Sequence, residues 1–279
     1  MNGRKKRRVK DVNLLIRTDA PVGAMDSGVG GLTVVQNLRR ILPMEDVLFF
    51  GDSVNCPYGN RSEDEIFELG MNMIRGFERE GVKCVVIACN TISSVIDRFR
   101  RETNLHLFSI VESAVNYVAG MGAKSAGLIA TERVVESGIF ERGLRKEIPG
   151  FRLSAQGSHE LAALIDGGII EGAAVETEIR ACVDKLIAAG ERDRLILGCT
   201  HYPIALEAFR KCYPELTLID ASCAQAQEVA AWLNESSLLR TDHEGTLTIR
   251  TSGGRENYER VCTLLGISEG TRIQTVESL

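Results

Sequence analysis

Proline is scarce in this chain: six residues in 279, beside 27 glycines with no repeating period. A collagen-like or low-complexity polymer is thereby excluded. No stretch approaches the ~20 uninterrupted apolar residues of a membrane span, so no membrane partner is expected. No CxxC pair occurs among the eight cysteines, which removes the commonest zinc and redox-dithiol spacings. A positive excess is missing too. Lys and Arg number 33 against 38 Asp and Glu, a net charge of −5. The global basic footprint of a nucleic-acid binder is absent, and no nucleic-acid partner is expected. What is present is ordinary: 44% hydrophobic and 25% charged residues, the balance of a globular protein and not of a disordered one. At ~150 residues per domain the length suggests roughly two domains.

The charge is uneven. Residues 1–20 hold seven basic side chains (Arg4, Lys5, Lys6, Arg7, Arg8, Lys10, Arg17) and two acidic ones (Asp11, Asp19). The rest has 26 basic against 36 acidic, a net −10. Arg4 to Arg8 can be read as a nucleic-acid, nuclear-import or acidic-lipid patch. The plainer expectation is a disordered basic extension over residues 1–20. Val12 to Ile16 is too short for the apolar region of a secretory signal. With no export signal and no need for disulfide staples, free thiols in a reducing cytoplasm are expected.

Apolar runs of strand length alternate with amphipathic helical stretches throughout. Pro21 to Met25, Val47 to Phe50, Lys83 to Ala88, Ala126 to Ala130, Phe151 to Leu153, Leu195 to Leu197, Leu216 to Ile219 and Thr246 to Ile249 read as strands. Helical stripes include Leu32-Val35-Leu38, Val95-Ile96-Phe99, Val135 to Leu144, the run from Val175 to Leu186, and Tyr258 to Leu265. Ser62 with Glu65 forms a capping box ahead of Ile66. This alternation predicts an α/β fold with parallel sheets and helices on both faces. Such sheets bind ligands at the carboxyl ends of their strands. Asp26, Cys89, Thr131 and Cys199 all stand at such ends.

A weak internal repeat supports two halves. Val85-Val86-Ile87-Ala88-Cys89-Asn90-Thr91 resembles Leu195-Ile196-Leu197-Gly198-Cys199-Thr200. Two similar doubly wound lobes with pseudo-twofold symmetry would put the two thiols across one cleft, which would be the active site. The expected lobes are 21–112 plus 222–279, and 113–221.

Cys84, Cys182, Cys212 and Cys262 lie within strand or helix patterns and read as inert core residues. Cys89 and Cys199 have polar neighbours that packing does not require: Asn90 and Thr91 by one, Thr200 and His201 by the other. A thiol at a helix start is expected to have its pKa lowered from ~8.5 toward neutrality. One Cys with a His would suit nucleophilic hydrolysis. Two symmetric Cys suit a reaction that takes a proton from one face of a carbon and returns one to the other. Cys56, before Pro-Tyr-Gly, is a candidate for lining the cleft. Gly28-Val29-Gly30-Gly31 fails the dinucleotide fingerprint because position 33 is Thr.

At this point Asp26-Ser27-Gly28-Val29-Gly30-Gly31-Leu32-Thr33 resembles the N-terminal signature of the glutamate racemases. Gly51-Asp52-Ser53 with Pro57-Tyr58-Gly59 resembles their second motif. Cys89-Asn90-Thr91 and Gly198-Cys199-Thr200-His201-Tyr202-Pro203 resemble their two catalytic motifs. The match runs over roughly residues 22 to 265. The resemblance implies a two-base mechanism without pyridoxal phosphate, metal or other cofactor. Cys89 and Cys199 would be the acid/bases, each serving one enantiomer of glutamate. Asp26 would assist Cys89 or hold the substrate ammonium, and His201 would assist Cys199. Ser27, Tyr58, Gly59, Asn90, Thr91, Thr131, Thr200 and His201 would bind substrate. Glycines 28, 30 and 31 would let backbone N–H groups meet an anion.

Two departures stand out. The family's assisting Glu is matched by the shorter Asp166, reached from Ser158-His159-Glu160. A hydroxyl often near the substrate is Val134 here, implying a lost hydrogen bond of ~0.5–1.5 kcal/mol. A related thiol isomerase, racemase or decarboxylase for another small acid, and a catalytically weakened acidic-amino-acid binder, are the alternatives. By resemblance, D-glutamate would feed peptidoglycan synthesis in a bacterial cytoplasm. Dimers are common in that family, so a homodimer is an expectation.

Overall fold

The computed structural model describes residues 17–190, 193–277 and 279. The expected extension falls outside the described residues up to position 16; Arg17 and Asp19 form an exposed ion pair.

The first sheet has six parallel strands. Four come from the first part of the chain: β1 (Val22–Asp26), β2 (Val47–Gly51), β3 (Val85–Ile87) and β4 (Leu107–Ser109). Between them run α1 (Leu32–Ile41), α2 (Glu63–Glu80), α3 (Asn90–Ser93) and α4 (Ile96–Glu102). After α5 (Ile110–Gly120) the second sheet begins, with β5 (Ser125–Thr131), β6 (Arg152–Ser158), β7 (Arg194–Gly198) and β8 (Thr217–Ile219). Its helices are α6 (Glu132–Ser137), α7 (Ile139–Glu147), α8 (Leu161–Asp166), α9 (Ala173–Ala188) and α10 (Leu206–Cys212). The chain then returns through α11 (Ser222–Glu235) and adds β9 (Leu247–Thr251), α12 (Glu256–Leu265) and β10 (Thr271–Thr275) to the first sheet.

The strand orders are β10-β9-β2-β1-β3-β4 and β6-β5-β7-β8. The block β2-β1-β3-β4 has the order of the whole second sheet, position for position, so the two lobes repeat one topology. Continuous burial of β1, β2 and β3 fits parallel strands covered on both faces. Val22 and Ala24 of β1 join the core that also holds α1 and the second lobe, whereas Met25 joins the core under α2. β9 alternates buried with half-buried positions, as suits a strand nearer the sheet edge.

The capping box forms as expected. Glu65 N–H donates to Ser62 Oγ at 3.3 Å, and Ser62 N–H donates to Glu65 Oε2 at 2.9 Å. Elsewhere the structure departs from the sequence reading. Val135 to Leu144 is not one helix, because Gly138 at φ 62° breaks it. The Val95-Ile96-Phe99 stripe falls on α4, with Val95 at its N-cap, and a separate four-residue α3 stands between it and Cys89. The strand expected at Phe151 to Leu153 extends to Ser158. Among the described residues, no helix is long and apolar enough to cross a membrane.

Candidate active site

A cavity of about 280 Å³ lies where the carboxyl ends of both sheets meet, the scale of a small ligand. Its walls come from both lobes. Ser27 follows β1, Ser53 follows β2, and Cys89, Asn90 and Thr91 follow β3. Thr131 ends β5, Ala162, Ala163, Asp166 and Gly167 come from α8 and its end, and Cys199, Thr200 and His201 follow β7. Gly198 at the end of β7 and the loop residues Cys56, Pro57, Tyr58 and Gly59 complete it. Among the described residues no Lys or Arg lines it, so an anion there meets hydroxyls, amides, thiols and one imidazole, with the Asp166 carboxylate beside that imidazole.

The two thiols occupy equivalent places, after β3 and after β7, and both are buried, at 5% and 7% exposure. Cys89 precedes α3, and its Sγ lies 3.5 Å from Ser27 Oγ. The expected drop in its pKa does not occur. Burial pushes the Cys89 thiol up to about 12, and the nearby Asp26 carboxylate adds to the rise. Hydrogen bonds from Ser27 and the Ile92 N–H pull the other way but lose. A four-residue helix supplies too little dipole to offset desolvation.

Cys199 is supported differently. Its Sγ lies 3.7 Å from His201 Nδ1, and His201 Nε2 lies 3.1 Å from Asp166 Oδ1. Burial lowers the His201 pKa, but bonding to Asp166 and to Cys199 outweighs it and leaves the pKa well raised. Burial likewise pushes Asp166 up, yet His201 and then Arg260 hold its carboxyl below the usual range. Asp166, reached by an α8 that ends at the cavity, thus carries its shorter side chain to the imidazole.

Asp26 is placed otherwise than expected. It is fully buried, lies outside the cavity lining, and makes no hydrogen bond to Cys89. Its Oδ1 accepts from Gly28 N–H at 2.9 Å and its Oδ2 from Thr200 Oγ1 at 3.0 Å. Burial raises its pKa to about 6, against the pull of His201, Gly28 and Thr200. The glycines serve packing more than anion binding. Gly28 N–H is spent on Asp26, and the α1 start is satisfied by turn carbonyls such as Val29 O and Gly30 O. A Cβ on Gly30 would stand 2.5 Å from Thr200 Oγ1 and 2.8 Å from His201 Nδ1.

Tyr58 donates to Asp52 Oδ2 at 2.6 Å; burial and that carboxylate raise its pKa, so it stays a phenol. Thr91 and Thr131 approach to 3.3 Å through their hydroxyls, joining the two lobes beside Gly59. Val134 is buried in the core and lines no part of the cavity, so its missing hydroxyl removes no contact there. Ser53, Ala162, Ala163 and Gly167 are cavity residues that the sequence reading did not single out. Ser53 belongs to the Gly51-Asp52-Ser53 motif; in α8 only Asp166 carried a chemical signal, and the small apolar Ala162 and Ala163 beside it carried none. Among the described residues, no group of three or more His, Cys, Asp or Glu side chains could hold a metal ion.

Comparison with known proteins agrees with this geometry. The profile of the Asp/Glu/hydantoin racemases matches residues 27–229. Glutamate racemase 1 of Caldanaerobacter subterraneus subsp. tengcongensis is 32% identical over 87% of this chain and 91% of its own length. The Thermus thermophilus glutamate racemase, solved with β-chloro-D-alanine, superposes with a TM-score of 0.81 at 33% identity, covering 94% of this chain and all of that one (100%). The Francisella tularensis enzyme, solved with D-glutamate, gives a TM-score of 0.86 at 28% identity over 93% of this chain and 98% of that one. Two thiols facing one cavity from matching strands, a matching profile and relatives covered along nearly their whole length lead to one assignment: this chain belongs to the Asp/Glu/hydantoin racemase family, among its glutamate racemases.

Proposed function

We propose that the protein interconverts L- and D-glutamate by two-base proton transfer between Cys89 and Cys199. The observation that carries the reading is the placement of both thiols on one cavity, one from each lobe. Removal of the α-proton by one sulfur and return of a proton by the other, from the opposite side, inverts the carbon. Each step moves a proton between substrate and protein, so the charge stays balanced.

The surroundings suit a charge that grows on the substrate carboxylate as the proton leaves. Ser27, Asn90, Thr91 and Thr131, with the Thr200 backbone N–H (its hydroxyl being given to Asp26), would hold the carboxylates by neutral donors fixed in advance, which stabilise such charge without reorganisation. An imidazolium at His201, kept protonated by Asp166, is the counter-charge for a thiolate at Cys199. Cys89 holds its proton in the resting protein, ready to donate it. In the reverse direction its thiolate, once formed, is a strong base for the same reason. Asp26 would act from behind the wall, through Thr200 and its field on both sulfurs. The lobes would divide at residues 21–112 plus 222–279 and 113–221. The D-glutamate formed would serve peptidoglycan synthesis in the cytoplasm, and a homodimer remains part of the proposal.

The test is α-proton exchange followed by NMR in D₂O, with L- and D-glutamate and then both aspartates. Deuterium entering glutamate, with the opposite enantiomer appearing, is the expected result. Exchange with aspartate alone would move the substrate; no exchange from folded protein with titratable thiols would sink the proposal.

A further inference from the structure

α12 belongs to the first lobe. Tyr258, Val261 and Cys262 bury one of its faces in the core with Phe49. Its other face reaches across to the second lobe. Asn257 Nδ2 donates to the backbone carbonyl of Asp166 at 2.9 Å, and Arg260 donates to the same oxygen at 3.0 Å. The two side chains, three residues apart and so on one helical face, also bond to each other.

The acceptor is informative. Asp166 is the last residue of α8, where a helix carbonyl has no partner within its own helix. Two donors from the other lobe supply it, and one is a cation at the negative end of that helix. Gly168, at φ 90°, gives the guanidinium room, since a side chain there would stand 3.2 Å from it. The carboxylate of the gripped residue is the one on His201 Nε2.

The geometry points to Asn257 and Arg260 as positioning residues for the Cys199 side of the reaction: they fix the Asp166 backbone and so hold its carboxylate on His201. Neither touches the cavity. This deepens the racemase reading and rests on it for its kinetic readout. Both side chains are only half-buried, so their loss leaves the core intact.

The test uses Asn257→Ala and Arg260→Gln in the full chain. Because the two enantiomers have equal free energy, kcat/KM falls equally in both directions, and about 10-fold is expected, short of the ~100-fold that a 1 Å misplacement costs. The direction shows in the isotope effect. With substrate deuterated at Cα, the effect on kcat/KM rises for the enantiomer that Cys199 deprotonates and falls for the other. In the Asp166→Asn background, Arg260→Gln adds little further loss. A second readout needs no turnover: the His201 Nε2–H proton, seen by NMR, exchanges faster with solvent in both variants. Unchanged kcat/KM, an isotope effect moving alike in both directions, or unchanged imidazole exchange would overturn the inference. If wild-type protein fails to racemise glutamate, the racemase reading falls, while the exchange rates still decide whether the clasp holds His201.

Discussion

The carboxylate of Asp26 accepts a hydrogen bond at 3.0 Å from the hydroxyl of Thr200, 174 residues further along the chain. Asp26 ends the first strand of one lobe and Thr200 follows the third strand of the other. The bond ties the lobes together just behind the two thiols. It also buries a carboxylate with no cation bonded to it, which sets up the first prediction.

Asp26 has a folded pKa of about 6 against an ordinary 3.8. A carboxyl raised on folding stabilises the fold fully below its unfolded pKa, and that contribution is lost as pH rises through the folded one. Between pH 4 and 7 the wild-type protein should lose about 2 kcal/mol from this group. Asp26→Asn should abolish that part of the pH dependence. Urea unfolding of both proteins at pH 4.5 and 7.5 checks it; parallel changes in the two would refute it.

Cys89→Ser and Cys199→Ser should each reduce racemisation by about 10²–10⁴-fold, the usual contribution of a placed acid/base. Loss in only one variant would show that a single thiol suffices and would end the two-base scheme. Calorimetric titration with glutamate separates lost chemistry from lost binding.

Asp166→Asn should lower the His201 pKa, because the hydrogen bond that outweighs burial is weakened and the facing charge is gone. The alkaline fall in kcat/KM should then begin at lower pH, with activity down about 10²-fold. A pH–rate profile that keeps its alkaline limb in place would remove Asp166 from any role at His201.

Gly30→Ala should cost activity well before stability. Its methyl would push on Thr200 and the His201 ring, and a shift of 1 Å at such a group costs ~100-fold in rate. Paired measurements of kcat/KM and Tm test this; a protein as active as wild type would contradict the packing.

Lys83 and Glu45 form a fully buried pair at 2.6 Å at the opposite end of the first sheet. Removing one partner leaves an uncompensated charge, so Lys83→Met should destabilise by about 3–5 kcal/mol. Activity per folded molecule should not change. A small shift in urea midpoint would show that Glu45 finds water or another donor.

The parts of the site legible in the sequence were those fixed by strand ends. A polar residue after an apolar run stands at the sheet's carboxyl edge, so Asp26, Cys89, Thr131 and Cys199 could be placed there without coordinates, although Asp26 lies behind the cavity wall and not in its lining. The repeated topology was legible for the same reason. Burial was not, because desolvation depends on what the other lobe lays over a residue; the Cys89 pKa therefore moved opposite to the helix argument. Asn257 and Arg260 were invisible because nothing in local spacing connects a surface stripe on α12 with the end of α8. β4 and β10 are short edge strands whose three and five residues carry little pattern of their own.

The strand order shared by both sheets has a consequence for the ancestry of the chemistry. In the proposed two-base scheme one such four-stranded unit supplies one of the two acid/base sulfurs and half of the binding wall, so alone it would deprotonate but not invert. Inversion demands two units facing each other, whether on two chains or fused in one. Fusion frees the halves to differ. One holds two further strands and α12, the other an imidazole and its carboxylate. A molecule whose substrates are mirror images is thus served by halves that no longer mirror each other.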